Sequence, residues 1–117
     1  MRVKATREGL VGAKTASGYV IDKIVPFVAL PSTKALGWAV RVTNPANDKS
    51  TIAIVLDVGP WNEHDDGYVF GGIRPAAETG TDSRGRTTNH AGIDLGEAVW
   101  KRLEMVDNTE VDWEFIK

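Results

Sequence analysis

The fold of this chain is decided by the stretch Thr51-Ile-Ala-Ile-Val-Leu-Asp57-Val-Gly-Pro-Trp61. Its run of β-branched and aliphatic residues predicts a buried strand, and the Gly-Pro pair ends that strand abruptly. The strand therefore carries Asp57 from a rigid core element to the start of a polar loop, where catalytic or ligand-orienting acids are commonly held. A second acid, Asp94, follows at the predicted start of a helix.

The composition excludes several classes of protein. The 117 residues suffice for one domain, residues 1–117, with a single core. The 14 basic and 16 acidic residues give a net charge of −2, and the basic residues are scattered, so we expect no nucleic-acid partner. The absence of cysteine excludes a disulfide scaffold, a thiolate zinc site and a thiol nucleophile. No apolar run approaches the roughly 20 residues of a membrane span, so we expect none.

The compartment and the oligomeric state are left open by the sequence. The first residues lack the apolar core of a secretory signal peptide. We therefore expect the cell envelope or the extracellular space if a leader has been removed, and otherwise a cytoplasmic or phage-released protein.

Most segments with a regular pattern have strand character. The predicted strands are 14–21, 26–31, 38–43 and 51–57, followed by a closing strand in which Val111, Trp113 and Phe115 alternate with acids. Segment 26–31 is bounded by prolines, which suits an edge strand or a tight connector. A turn at 44–49 joins 38–43 to 51–57 in a hairpin.

One helix is predicted, after a long loop. Residues 58–92 contain seven glycines and no sustained apolar period, and a loop of this length is most often functional when it is ordered. Asp94 and Glu97 have the spacing of a capping box at the helix start. The apolar face of the helix is predicted to comprise Leu95, Ala98, Val99 and Leu103. Core packing is the default assignment for Trp38, Trp100 and Trp113. This order of elements favours a small, mostly β barrel with one crossing helix.

Five short strings along the chain also match a known pattern. They are Thr15-Ala-Ser-Gly18, Ala29-Leu-Pro31, Val40-Arg-Val-Thr-Asn44, Asp57-Val-Gly-Pro60 and Ile93-Asp-Leu95. In this order they resemble T-A-S-G, L-P, V-x-V-T-N, D-R-G-P and I-D-L-S in the double-psi β-barrel domain of rare lipoprotein A. Expansins and barwin-type proteins share that barrel more distantly. The resemblance implies a six-stranded double-psi β-barrel with one short helix, a groove that holds a glycan chain and, as in rare lipoprotein A, lytic cleavage of peptidoglycan.

Two positions depart from the pattern of the family. Val58 stands where the family has the arginine of D-R-G-P, and residues 25–29 lack the histidine that lytic members carry shortly before the Leu-Pro. His64 or His90 could replace that histidine. Glycan binding therefore carries over more directly than the chemistry.

Asp57 is the candidate general acid. A lytic transglycosylase can work with one acid, because a hydroxyl of the sugar itself attacks the anomeric carbon, and such an acid needs a raised pKa. The alternative is a structural role in which Asp57 accepts backbone N–H groups and fixes the Gly-Pro turn. For Asp94 a helix cap is the simpler explanation, and a second catalytic carboxylate of a hydrolase is the alternative.

The remaining candidates would bind the sugar. The predicted substrate-binding residues are Thr15, Ser17, Trp61, His64, Asp65, Tyr68, Asn89 and His90. Aromatic rings stack on sugar faces, and amides and carboxylates bond to hydroxyl groups. The alternative is a solvated loop with Trp61 and Tyr68 buried as its own small core. No spacing supports a metal site, and no cofactor is predicted.

Three functions follow from these residues. The first is lytic transglycosylase-like cleavage of peptidoglycan or a related polysaccharide, with Asp57 as general acid. The second is a non-catalytic carbohydrate-binding or cell-wall-binding module that uses the same groove. The third is a structural or interaction protein of a phage or mobile element that reuses the barrel.

Overall fold

The computed structural model describes residues 1–116 and shows six strands closed into one barrel. The strands are β1 (Arg2–Glu8), β2 (Phe27–Leu30), β3 (Ala39–Asn44), β4 (Lys49–Val58), β5 (Ile93–Gly96) and β6 (Glu110–Phe115). Around the barrel they follow the order β1-β5-β2-β4-β3-β6. The pairs β1–β5 and β2–β4 are parallel, and the other four pairs are antiparallel. The predicted mostly β, six-stranded barrel is confirmed.

Four short helical segments accompany the barrel. They are α1 (Asp66–Val69), α2 (Glu97–Arg102) and two 3-10 turns at Thr33–Ala35 and Ala76–Thr79. The chain thus has two short α-helices where the sequence predicted one, because α1 forms inside the long β4–β5 loop. Within residues 1–116, no helix is long and apolar enough to cross a membrane.

The β3–β4 hairpin and the closing strand β6 lie where the sequence predicted them. In β3, Val40 and Val42 are buried and alternate with more exposed residues, and Ala53 and Val55 continue this inward face in β4. Because side chains of a strand alternate between its two faces, this pattern fixes which side of the hairpin faces the core.

Two strand predictions were wrong. Residues 14–21 form part of the exposed β1–β2 loop, with a single bridge between Lys14 and Val20, and the first strand is β1. Strand β1 has a weak sequence signal because Val3 and Ala5 are its only core residues. Strand β2 is neither an edge strand nor a connector. All four of its residues are buried between β4 and β5, and a closed barrel has no edge.

The predicted helix start was also wrong. Asp94 and Leu95 belong to β5, and α2 begins at Glu97 with Gly96 as its N-cap, without a side-chain cap. The carboxylate of Glu97 instead accepts two hydrogen bonds from Arg7, at 2.6 and 2.7 Å. The local Asp-x-x-Glu spacing imitated a capping box, whereas tertiary pairing with β1 and β2 holds this segment extended.

The aromatic residues divide between the core and the surface. Trp100 and Trp113 are buried as predicted, but Trp38 is 50% exposed and packs edge-to-face on Phe70 and Phe115. Tyr68 is 1% exposed, and α1 places it in the core.

The Tyr68 hydroxyl joins the β4–β5 loop to the core. It accepts a hydrogen bond from Trp113 Nε1 at 2.7 Å and donates one to the Gly92 carbonyl oxygen at 2.8 Å. We expect Tyr68→Phe to lower the free energy of unfolding by about 1–3 kcal/mol, because it leaves two buried polar groups without a partner. Urea denaturation measures this change. Tyr19→Phe is the matched control, since its hydroxyl contacts the amide and the carboxylate of Asp22 outside the core. Equal losses in the two variants would contradict the role of Tyr68.

Candidate functional site

A row of residues crosses four neighbouring strands on the outer face of the barrel. Thr6 of β1 pairs with Asp94 of β5, Asp94 pairs with Ala29 of β2, and Ala29 pairs with Asp57 of β4. Directly paired residues share a face of the sheet. This face points away from the barrel interior, because the residues on either side of Ala29 belong to the core. The methyl group of Ala29 is the only side chain between the two carboxylates in this row.

A β-bulge places Asp57 on that outer face. Val28 of β2 pairs with Val55, and the next residue, Ala29, pairs with Asp57, so Leu56 is an extra residue in β4. Without the bulge, Asp57 would follow Val55 into the core, because residues two apart in a strand point to the same side. The bulge re-aims the carboxylate, a common function of bulges next to active sites.

The Asp57 carboxylate is partly occupied by the backbone. Its Oδ1 accepts hydrogen bonds from the Ala16 and Val58 amides, both at 2.9 Å. These bonds tie the β1–β2 loop to the end of β4. The structural role that the sequence offered as an alternative is therefore present at this oxygen.

Glu8, which the sequence analysis did not single out, completes the cluster of carboxyl groups. Burial, then the charge of Asp57 and a hydrogen bond to it, then the charge of Asp94, raise the pKa of Glu8 to about 8. Its Oε2 is buried and has no partner among the described residues when the group is treated as a carboxylate. A proton on Glu8 resolves this, because the O–H group then donates to Asp57. We therefore describe Glu8 as a neutral acid at pH 7.

Asp94 is the third carboxyl group. Burial raises its pKa to about 6, opposed by a short hydrogen bond from Thr6 Oγ1 and assisted by the charge of Asp57. Gly59 lies beside it, and a Cβ atom on Gly59 would be 3.9 Å from Asp94 Oδ2. Gly59 has φ 140°, which side-chain-bearing residues rarely adopt, so the approach to Asp94 stays open.

An open groove of about 580 Å³ runs past these acids. Glu8 and Asp94 lie in its wall together with Pro60, Trp61 and Asn89. Asp57 does not line the groove and acts on it through its charge, which raises the pKa values of Glu8 and Asp94. The groove thus presents two carboxyl groups to a ligand, Glu8 and Asp94, both with raised pKa values, beside an aromatic ring.

Trp61 is held in place by the β4–β5 loop. Its Nε1 donates to Asn89 Oδ1 at 2.8 Å, and the Arg86 guanidinium lies 5.7 Å from the ring centroid. Arg86 Nη2 also donates to the Trp61 carbonyl oxygen at 2.9 Å. The half-exposed indole is therefore fixed in orientation before any ligand binds.

A second, smaller cavity, which we call the side pocket, shares Trp61 with the groove. It measures about 230 Å³, and its wall includes His64 and Asp65. Of the predicted sugar-binding residues, the structure therefore brings Trp61, Asn89, His64 and Asp65 to two adjoining cavities.

Four other predicted sugar-binding residues lie elsewhere. Tyr68 is in the core and has no surface to offer a ligand, as the buried-loop alternative anticipated. Thr15 is buried in the β1–β2 loop, where its hydroxyl contacts Ser17 Oγ at 2.9 Å. His90 lines neither cavity, and its Nδ1 lies 3.0 Å from the Glu78 carbonyl oxygen.

Residues 1–71 match the model of a protein family described as "Domain of unknown function (DUF8814)". This match spans more than half of the chain and includes β1 to β4. The chain belongs to this family. The matched part contains Glu8, Asp57 and Trp61, whereas Asp94 and Asn89 lie beyond it. No curated protein matches the chain.

Several solved structures are similar to this DUF8814 member. A Streptomyces papain inhibitor is 18% identical with a TM-score of 0.56, over 100% of this chain and 94% of the inhibitor. Cerato-platanin 3 from M. perniciosa is 9% identical with a TM-score of 0.58, over 100% and 95%. A GH45 endoglucanase, EG27II, solved in complex with cellobiose, is 16% identical with a TM-score of 0.47, over 99% and 80%. The first two likenesses show a shared barrel fold, and function is argued from the site itself.

The carboxyl cluster yields a prediction for Asp57→Asn. The new side chain keeps an acceptor for the two backbone amides, but it removes the charge and the carboxylate that Glu8 faces. The pKa of Glu8 should therefore fall well below 8, as measured by a carbon-13 NMR titration of its side-chain carboxyl. Asp94→Asn is the control and should produce a smaller fall, since Asp94 is the weakest of the four influences on Glu8. An unchanged pKa in Asp57→Asn would refute the contact.

Proposed function

We propose that this domain cleaves peptidoglycan-type glycan strands by general acid catalysis, with Glu8 as the proton donor. One observation carries the proposal: Glu8 lies in the wall of an open groove, where burial and two neighbouring carboxyl groups raise its pKa to about 8. Cleavage of a glycosidic bond requires a proton on the departing oxygen, and an acid with a raised pKa supplies it.

This assignment moves the general acid from Asp57 to Glu8. Asp57 does not line the groove, and two backbone amides occupy its Oδ1. In the proposed mechanism Asp57 is a positioning residue that accepts the Glu8 hydrogen bond and keeps the proton on Glu8.

The closeness of Glu8 and Asp57 favours a lytic reaction. Retaining glycosidases hold their two carboxyl groups about 5–5.5 Å apart and inverting ones about 6.5–9.5 Å. Two carboxyl groups joined by a hydrogen bond are closer than either, so Glu8 and Asp57 form one acidic unit that shares a proton. A lytic mechanism needs one acid, because the attacking hydroxyl belongs to the sugar and passes its proton to the Glu8 carboxylate after Glu8 has protonated the departing oxygen. Asp94, when ionised, would stabilise the positive charge that develops at the anomeric carbon.

The test is release of soluble products from purified sacculi. Wild type should release anhydro-muropeptides, and Glu8→Gln should lower the rate by about 100-fold or more, as expected for loss of a general acid. Glu8→Gln keeps a donor towards Asp57, so its binding to sacculi should persist. The matched control is Glu114→Gln, at an exposed position of β6 whose side chain is 67% accessible. A Glu8→Gln variant as active as wild type would contradict the assignment.

The same experiment separates the second candidate function. The groove is open and Trp61 is held rigidly, which also suits a non-catalytic glycan-binding module. If wild type and Glu8→Gln both bind sacculi and neither releases products, the binding module is the function. If neither binds, a structural or interaction role replaces both.

The two raised pKa values predict the pH dependence of cleavage. Asp94 is mostly ionised above about pH 6, and Glu8 keeps its proton below about pH 8. We therefore expect kcat/KM on soluble glycan fragments to rise through pH 6, as Asp94 loses its proton, and to fall through pH 8, as Glu8 does. Initial rates across the pH range measure this profile. A flat profile across both values would argue against these two groups.

A further inference from the structure

The side pocket differs from the groove in size. The groove of about 580 Å³ is within the roughly 300–1,000 Å³ typical of ligand sites, whereas the side pocket of about 230 Å³ is below it. Trp61 lies in the walls of both, so a ligand in the groove has the side pocket next to it. The side pocket therefore suits a small substituent of a chain that lies in the groove.

The side pocket carries charges of both signs. Arg84 Nη2 lies 3.8 Å from Glu63 Oε2, which is too far for a hydrogen bond, and the side chains are 66% and 57% exposed. An exposed pair at this distance contributes little to stability, so both groups are available to a ligand. Asp65 adds a second carboxylate, oriented by the hydrogen bond that its Oδ2 accepts from the Ala76 amide at 2.8 Å.

Asn62 adds an amide donor. It is only 5% exposed, and its Oδ1 accepts a hydrogen bond from the Ser83 amide at 2.9 Å, which fixes the orientation of its side-chain amide. Its Nδ2 donates to no group in the part of the chain that the structure describes, although Asn62 lines the side pocket. This amide nitrogen is not sealed from solvent, so it is available to donate to a ligand in the side pocket.

We propose that the side pocket binds a peptide substituent of the glycan strand, one that carries both a free carboxylate and a free ammonium group. Its carboxylate would accept hydrogen bonds from Arg84 and Asn62, and its ammonium group would pair with Glu63 and Asp65. This inference rests on the proposed function, since it places the glycan strand in the groove. A neutral polysaccharide would leave these charges without partners, and an acidic sugar would be repelled by the two carboxylates. Only a substituent with both charges complements the arginine and the two carboxylates of the side pocket.

Free peptides test the side pocket without any cleavage. The probe is an alanine tripeptide with free ends, and its acetylated and amidated form is the uncharged comparison. The free tripeptide should shift the amide resonances of Asn62 and Ser83, whereas the blocked form should not. Arg84→Gln should weaken binding about ten-fold, as expected for loss of a charged hydrogen bond, and Arg41→Gln on the distant strand β3 should have no effect. If millimolar free tripeptide causes no shifts, or if the blocked form binds equally well, the inference fails.

Two glycan substrates then separate this inference from the proposed function. Peptide-bearing strands are compared with strands whose peptides an amidase has removed. We expect wild type to cleave or bind peptide-bearing strands about ten-fold better, and Arg84→Gln to lose that preference while acting equally on stripped strands. Equal action of wild type on both strands would overturn the peptide inference and leave the glycan function intact. Peptide binding without action on either strand would overturn the glycan function alone.

Discussion

The Asp57 carboxylate joins three segments that are distant in sequence. Its Oδ1 accepts the Ala16 amide of the β1–β2 loop and the Val58 amide at the end of β4, and the carboxylate faces the Glu8 acid at the end of β1. A side chain without an acceptor at this position would release the loop and leave Glu8 with a different environment. The pKa of Glu8 in the groove wall is therefore coupled to the position of the β1–β2 loop. The Asp57 carboxylate thus has the structural role that the sequence offered as an alternative, and in the proposed mechanism it also accepts the hydrogen bond of Glu8.

The barrel explains why acids collect at this place. Parallel pairing of β1 with β5 and of β2 with β4 brings the ends of strands from both halves of the chain to one face. Three carboxyl groups so close together cannot all be ionised cheaply in a partly buried site, because each charge raises the cost of the next. The structure lowers that cost by keeping Glu8 neutral, and backbone and hydroxyl donors stabilise the charges that remain. The result is a carboxyl group with a raised pKa, Glu8, in the wall of the groove.

The sequence predicted what depends on local pattern. Alternating apolar and polar residues identified the β3–β4 hairpin, and the Gly-Pro pair identified the end of the strand that carries Asp57. Glu8 could not be found in this way, because its raised pKa comes from burial and from carboxylates some fifty or more residues away in the chain. Asp94 shows the opposite failure, in which a good local capping pattern was overruled by tertiary strand pairing. Tyr68 was assigned to a ligand for a similar reason, since a polar loop sequence does not reveal that one short helix will turn inward.

The part of the β4–β5 loop around Asp82 and Arg86 is held by polar contacts, and this bears on its function. The Asp82 carboxylate is buried and accepts hydrogen bonds from the Arg84 and Arg86 amides and from the Arg86 guanidinium, which in turn contacts Trp61. A loop that served only to cover the core would gain more from apolar residues packed beneath it. Here a chain of hydrogen bonds instead holds the indole ring of Trp61, which lines both cavities and is partly exposed. Fixing an aromatic ring in the absence of a ligand costs conformational entropy during folding rather than during binding. Because less entropy is then lost on binding, a fixed ring favours tight binding of a ligand. Under the proposed function, the loop would determine which substituted glycan the barrel binds.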